Sequence, residues 1–225
     1  PHLIPWQYIF GRGLTIFILL NLYLFFEEGK DFYKNYFKMG LSGLLGGSGL
    51  GVAMISFMFS ITNTSAAITL LCLAAMPFFT ALLAFLFLQE KISLNVWISI
   101  IIATVGIAIM AVGNNTETSF VGFIFGITSS LGFAVFSVTL RWRKETPKFT
   151  TTAFAGFFCF VFASIVILQK DLVFFSSSYN SSLFSLHGTL VCLGLILYSI
   201  GSKAIPAAEL TLLSLTEVIG GIFWV

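Results

Sequence analysis

The chain has 225 residues, of which 58% are hydrophobic and only 9% charged, against roughly 25% charged in an ordinary soluble domain. Its 11 basic and 9 acidic side chains cannot cover a globule of this size, its mean hydropathy is +1.02 and its formal net charge is only +2. These figures exclude a soluble enzyme, a nucleic-acid binder and a disordered chain, and leave an integral membrane protein.

The charges are bunched, and the stretches between them set the elements. From Met39 to Gln89 there are 51 residues without Asp, Glu, Lys or Arg. A helix needs about 20 apolar residues to cross the hydrocarbon, so this run holds two spans. Each shorter charge-free run holds one. An outer-membrane barrel would alternate polar and apolar residues, whereas both faces are apolar here.

Eight helices are therefore expected, over 4–26, 39–61, 65–88, 94–112, 120–140, 149–168, 186–201 and 205–225. The first carries Arg12 and ends in the amphipathic, charged connector Glu27–Lys38. The second holds Gly43, Gly47 and Gly51, and the fifth holds Gly122 and Gly126, at four-residue spacing. Small residues so spaced line one helix face and admit a close neighbour, either as plain tight packing or as a sliding surface. Asn63-Thr64-Ser65 reads as a tight polar turn. Gln89–Lys91 and Gly113–Ser119 are short polar loops. Arg141–Lys148 is basic, Lys170–Ser185 is Ser/Asn-rich, and Gly201–Pro206 is a turn with Pro206 suited to a first helical turn. The fold class is an all-α polytopic membrane protein.

Alternate connectors fall on opposite sides of the membrane. One set (27–38, 89–91, 141–148, 201–206) carries nine basic residues, and the other carries only Lys170. By the positive-inside rule the first set is cytoplasmic. Cys72, Cys159 and Cys192 sit in apolar runs and read as inert buried thiols. Trp6, Trp97, Trp142 and Trp224 lie near segment ends, where interfacial anchoring is the default.

An internal repeat of inverted topology is a common transporter plan. An offset of 141 aligns Ala66-Ala67 with Ala207-Ala208, and Pro5 and Pro147 head equivalent segments at nearly that offset. With the orientation above, residue 65 faces outside and residue 206 inside, so the two copies are inverted.

On these residues the chain resembles the drug/metabolite transporter superfamily, in particular its EamA-type ten-helix carriers. Ile61–Ser93 is similar to the family's third-to-fourth helix junction: a small-residue turn, an apolar helix with a central proline (Pro77), then a Leu88-Gln89-Glu90-Lys91 exit. Ala204–Val225 is similar to the corresponding part of the second repeat, except that the family's Glu-Pro is here Glu217-Val218. The resemblance implies eight of ten transmembrane helices in two inverted repeats. The first repeat would be 1–113, without its first helix, and the second 119–225, without its last. It also implies a bacterial inner (plasma) membrane location.

Ionisable residues inside a span are functional candidates because burying them costs roughly 2.5–3.5 kcal/mol or more. Arg12, Glu209 and Glu217 are the three. Counted at about 1.5 Å per residue, Arg12 and Glu217 reach similar depths. They are expected either to sit in a central cavity, binding a polar or zwitterionic substrate with proton exchange at Glu217, or to form a structural ion pair, or Arg12 snorkels outward. Glu209 is either a carboxylate favouring a helix N-terminus or a gate residue at the cytoplasmic mouth. Asn21, Thr69, Thr80, Ser129, Ser130, Ser137, Tyr198, Ser214 and Thr216 are polar groups that either line a pathway or bond between helices. His2 and His187 are assigned no role.

No phosphate-binding glycine loop, metal-ligand spacing or nucleophile elbow occurs, so no cofactor, metal site or enzymatic activity is expected. The expected function is secondary transport of a small metabolite, amino acid or amphiphile, by alternating access, in the export direction and with possible proton coupling. The expected partners are that small-molecule substrate and the lipid bilayer. An importer or facilitator is the alternative; a channel-like or structural protein and a membrane-embedded enzyme fit less well.

Overall fold

Apolar side chains on every face leave the backbone no solvent to bond with in lipid, so it must satisfy its own N–H and C=O groups in helices. The computed structural model follows this rule. It describes residues 5–112, 119–142, 147–175 and 177–224. The polar loop at 113–118, most of the basic connector (143–146) and the side chain of Trp224 lie outside the described residues.

Among the described residues ten α-helices follow in order: α1 (Pro5–Glu28), α2 (Lys34–Lys38), α3 (Gly40–Asn63), α4 (Ala66–Ala74), α5 (Met76–Leu83), α6 (Leu94–Val112), α7 (Phe120–Trp142), α8 (Lys148–Gln169), α9 (Ser178–Gly201) and α10 (Ala207–Trp224). A 3₁₀ turn over Gly29–Tyr33 joins α1 to α2, and a π-helical turn over Ala84–Leu88 extends α5. Among the described residues there is no strand. Six stretches of the described residues are long and apolar enough to span a membrane: Pro5–Lys38, Gly40–Asn63, Ala66–Leu88, Phe120–Trp142, Phe149–Gln169 and Ser178–Gly201. At the positions expected for the fourth and eighth spans, α6 and α10 are helical over 19 and 18 residues.

Three local features depart from the expected elements. The 65–88 span is broken into α4 and α5 at Ala75, because Pro77 has no N–H for the preceding turn and sits in the first turn of α5. The helix expected from 186, α9, starts at Ser178, eight residues earlier. Ser177 caps it, its Oγ accepting from the Asn180 N–H at 3.1 Å, so the polar Ser/Asn stretch forms its first two turns. Pro206 precedes α10 and gives its carbonyl to the Leu210 N–H at 2.9 Å, rather than lying within the helix. The Asn63–Ser65 turn has the expected form: Thr64 is extended, and the Ser65 Oγ accepts from the Ile68 N–H at 3.2 Å. α3 opens on Gly40 at φ +55°, a conformation glycine adopts without penalty, which turns the chain out of α2.

Glycines decide how closely the helices pack. α3 runs along α7 and α8, α1 along α8 and α9, and α4 and α5 lie between α7 and α10. The Gly43–Gly47–Gly51 row receives Thr151, Phe154 and Phe158 of α8. Gly49 and Gly132 meet where α3 crosses α7: a Cβ on Gly132 would lie 2.6 Å from the Gly49 carbonyl oxygen. Gly13 and Gly156 do the same where α1 crosses α8. The buried cluster around these crossings holds Ile9, Ile16, Leu20, Leu50, Phe136 and Ile167. The three cysteines are free and buried. Large apolar side chains such as Phe85, Ile102, Ile109 and Leu168 remain exposed on the outside, as a lipid-facing surface requires.

At one end of the bundle Arg141 ties three connectors together. Its Nε donates to Glu90 Oε1 at 2.8 Å, and its Nη1 donates to the carbonyls of Ser202 (3.2 Å) and Ile205 (2.7 Å). The end of α7 is thereby joined to the exit of the broken span and to the α9–α10 turn.

Candidate functional site

A cavity of about 720 Å³ lies among α1, α3, the α4–α5 break, α7, α9 and α10. Its wall is mostly apolar, with Leu50, Met54, Phe133 and Leu195 among the lining residues. Leu73 and Met76 reach it from the two sides of the helix break. The break is a tightened helical turn: Ala75 keeps φ −76° and ψ −11°, and its N–H donates to the Cys72 carbonyl at 3.1 Å.

Arg12 and Glu217 both line this cavity. They form no ion pair; among the described residues the ion pairs are Lys34–Asp31 and Arg141–Glu90. Arg12 is only 4% exposed. Its Nη2 donates to the Met54 carbonyl of α3 at 2.8 Å, and its buried Nε has no hydrogen-bond partner. The guanidinium carbon lies 5.1 Å from the centre of the Tyr8 ring. Residues 8 and 12 are one turn apart on the same face of α1. Glu217 is on the exposed side of α10 and opens on the cavity. Glu209 is exposed and lies outside the cavity lining.

Two groups that sequence reasoning passed over belong to this site. The Tyr8 hydroxyl is hydrogen-bonded to Nδ1 of His187, the two rings are stacked at 5.5 Å, and His187 lines the cavity. What hides His187 in the sequence is the start of α9, which hydropathy does not show. A helix from Ser178 puts His187 nine residues in, at about 1.5 Å each, whereas one from 186 leaves it at the surface.

The other polar candidates divide. Ser129, Tyr198, Ser214 and Thr216 line the cavity. Tyr198 also shares a 2.6 Å hydrogen bond with Ser137, and Ser129 donates to the Ala53 carbonyl at 2.9 Å. Asn21, Thr69, Thr80 and Ser130 are taken up elsewhere, by Tyr36, Ser60 and the carbonyls of Met76 and Cys72 respectively. Trp6 packs edge-on against Phe59 with centroids 4.8 Å apart, Trp97 against Phe78 at 5.9 Å, and Trp142 is exposed.

Residues 2–112, which contain α1 to α6, match the EamA-like transporter family. The chain carries an EamA-like transporter domain. Two relatives, both named only as uncharacterized transporters, come from Helicobacter pylori. The one from strain J99 is 29% identical across 63% of this chain and 47% of its own length. The one from strain 26695 is 25% identical across 98% of this chain and 76% of its own length. The chain thus spans about half the length of the first and three quarters of the second. The EamA-like domain supplies Arg12, the α3 wall and the helix break to the cavity. α7, α9 and α10, beyond the matched residues, supply the rest.

Proposed function

We propose that this protein is a secondary transporter of the bacterial inner membrane that moves a small metabolite or amphiphilic compound outward by alternating access. The observation that carries the reading is the cavity itself. It is mostly apolar, it is bounded by helices of both halves of the chain, and it holds one buried guanidinium and one carboxylate that do not neutralise each other by contact. A mostly apolar cavity of this size with a few placed polar groups is the usual form of a small-molecule site.

The two halves, 1–113 and 119–225, are read as inverted repeats. Helix packing supports this. If α1, α3 and α4–α5 are exchanged with α8, α9 and α10, the α1–α8 and α5–α10 contacts map onto themselves. The α3–α8 contact maps onto α1–α9, and each of these pairs packs together. The Arg141 tie gathers the connectors at 89–91, 141–148 and 201–206, which supports the cytoplasmic side assigned from their basic residues. Alternating access then means rocking of one half against the other, with the tie loosening when the cytoplasmic side opens. Glu217 exchanges a proton with each cycle, since a carboxylate opening on a low-dielectric cavity is suited to that role.

Counterflow in proteoliposomes tests this reading. The full-length protein, preloaded in turn with unlabelled amino acids and amphiphiles, should accumulate the matching labelled compound for at least one of them. Absence of counterflow across the panel, with counterflow by a control carrier intact, would count against a carrier. Faster uptake into right-side-out than inside-out vesicles would make it an importer.

A further inference from the structure

We infer that the cavity recognises its substrate by an anionic group, a carboxylate on an apolar body, seated on Arg12. This rests on the transporter reading and names the class of substrate that reading leaves open. The argument begins with the cost of the guanidinium. A buried cation without a paired anion is strongly disfavoured, and Arg12 is 4% exposed. Its observed partners are neutral: one donor goes to the Met54 carbonyl, the ring face of Tyr8 lies beneath the group, and Nε has no partner. No carboxylate pairs with it among the described residues. A structural arginine at this depth would be expected to have its counter-ion within contact.

The surroundings fix the group rather than neutralise it. Met54 holds one edge of the guanidinium and Tyr8 one face. Tyr8 is in turn held by its hydrogen bond to His187 on α9. Arg12 is therefore oriented by contacts from α1 and α3 and, through Tyr8, from α9. Such preorganisation suits arginine, whose planar fork matches a carboxylate in two parallel hydrogen bonds and whose donors are costly to leave unfilled. Beside it the wall is apolar: Leu50, Met54, Phe133 and Leu195 offer a surface for hydrocarbon or an aromatic ring. An anion with an apolar body fits both parts. An apolar amine or an uncharged amphiphile fits only the second.

The test is binding to the full chain in nanodiscs, measured by calorimetry, with four probes sharing one aromatic body: 3-phenylpropionate, phenylalanine, 3-phenylpropanamide and phenethylamine. The first two carry a carboxylate and the last two do not. At least one acid should bind, and bind at least tenfold more tightly than the amide and the amine. Arg12→Gln should weaken acid binding by about 10- to 100-fold, the range for losing a hydrogen bond to a charged group, while leaving amide binding unchanged. Arg12→Lys, which keeps the charge without the fork, should fall between. If Arg12→Gln does not give a monodisperse protein, the ranking of the four probes on the unaltered chain decides alone. Amide or amine binding as tightly as the acids would overturn the anion seat and leave the transporter reading intact. Acid binding untouched by Arg12→Gln, or no binding of either acid, would also overturn it. Counterflow remains the separate test of transport.

Discussion

The crossing of α1 on α8 is close enough for a single methyl group to test it. A Cβ added to Gly13 would lie 2.9 Å from the Gly156 carbonyl oxygen, 2.9 Å from the Phe160 nitrogen and 2.8 Å from the Cys159 Cβ. Two of those neighbours are backbone and cannot rotate away. Ordinary contact begins at 3.4 Å, so Gly13→Ala must part the two helices by about half an ångström. Overpacking of this kind costs about 1–3 kcal/mol. Alanine returns about 0.5–1 kcal/mol through its better helix propensity, which leaves a net change between ~0 and ~2.5 kcal/mol of loss. Gly194→Ala is the matched control: it is also a mid-helix position, and nothing lies within 4 Å of its added methyl. It should gain the propensity term alone. The difference between the two variants cancels propensity and isolates the clash. Reversible unfolding of the protein in mixed micelles, followed by helical circular dichroism, measures both. Equal stability for Gly13→Ala and Gly194→Ala would refute the claim that α1 and α8 touch backbone to backbone beside Arg12.

Three further outcomes follow from the same geometry. Glu90→Gln removes one partly exposed ion pair and should cost no more than ~1 kcal/mol, whereas Arg141→Ala also frees the Ser202 and Ile205 carbonyls and should cost more; the same unfolding assay ranks them. Ser65→Ala deletes the cap of α4 and should cost about 1 kcal/mol, while Ser48→Ala, whose hydroxyl bonds only to its own helix, should be nearly neutral. Tyr8→Phe keeps the ring beneath Arg12 but loses the bond to His187, so it should weaken binding of the carboxylate probes less than Arg12→Gln does; an equal or larger loss would move the site from Arg12 to the tyrosine hydroxyl.

Much of this architecture is legible in the sequence because lipid leaves so few alternatives. The charge-free runs place helices within a few residues of where they lie, and the Asn63–Ser65 turn, the glycine rows and the buried cysteines follow from composition and spacing. The start of α9 was not legible: Ser178 to Ser185 looks like a loop by hydropathy, and only the cap at Ser177 turns it into helix. That one boundary hid His187. The surroundings of Arg12 were equally hidden. Depth counting along the helices brings Arg12 and Glu217 into one cavity, but it cannot say whether they touch. The contact that forms, to the Met54 carbonyl, involves a backbone atom that has no signature in side-chain identity. It depends on α3 coming close to α1, which is a matter of packing.

The proposed carrier is gradient-driven, with Glu217 carrying the proton. Its most direct test is flux of a bound compound in proteoliposomes holding the full-length protein, with and without an imposed pH gradient, for the unaltered protein and for Glu217→Gln. Gradient-driven accumulation that disappears in Glu217→Gln, while gradient-independent exchange of the same compound persists, is the predicted result. Flux that stops at equilibration and ignores both the gradient and the substitution would contradict proton coupling and leave a facilitator in which Glu217 has no part in coupling.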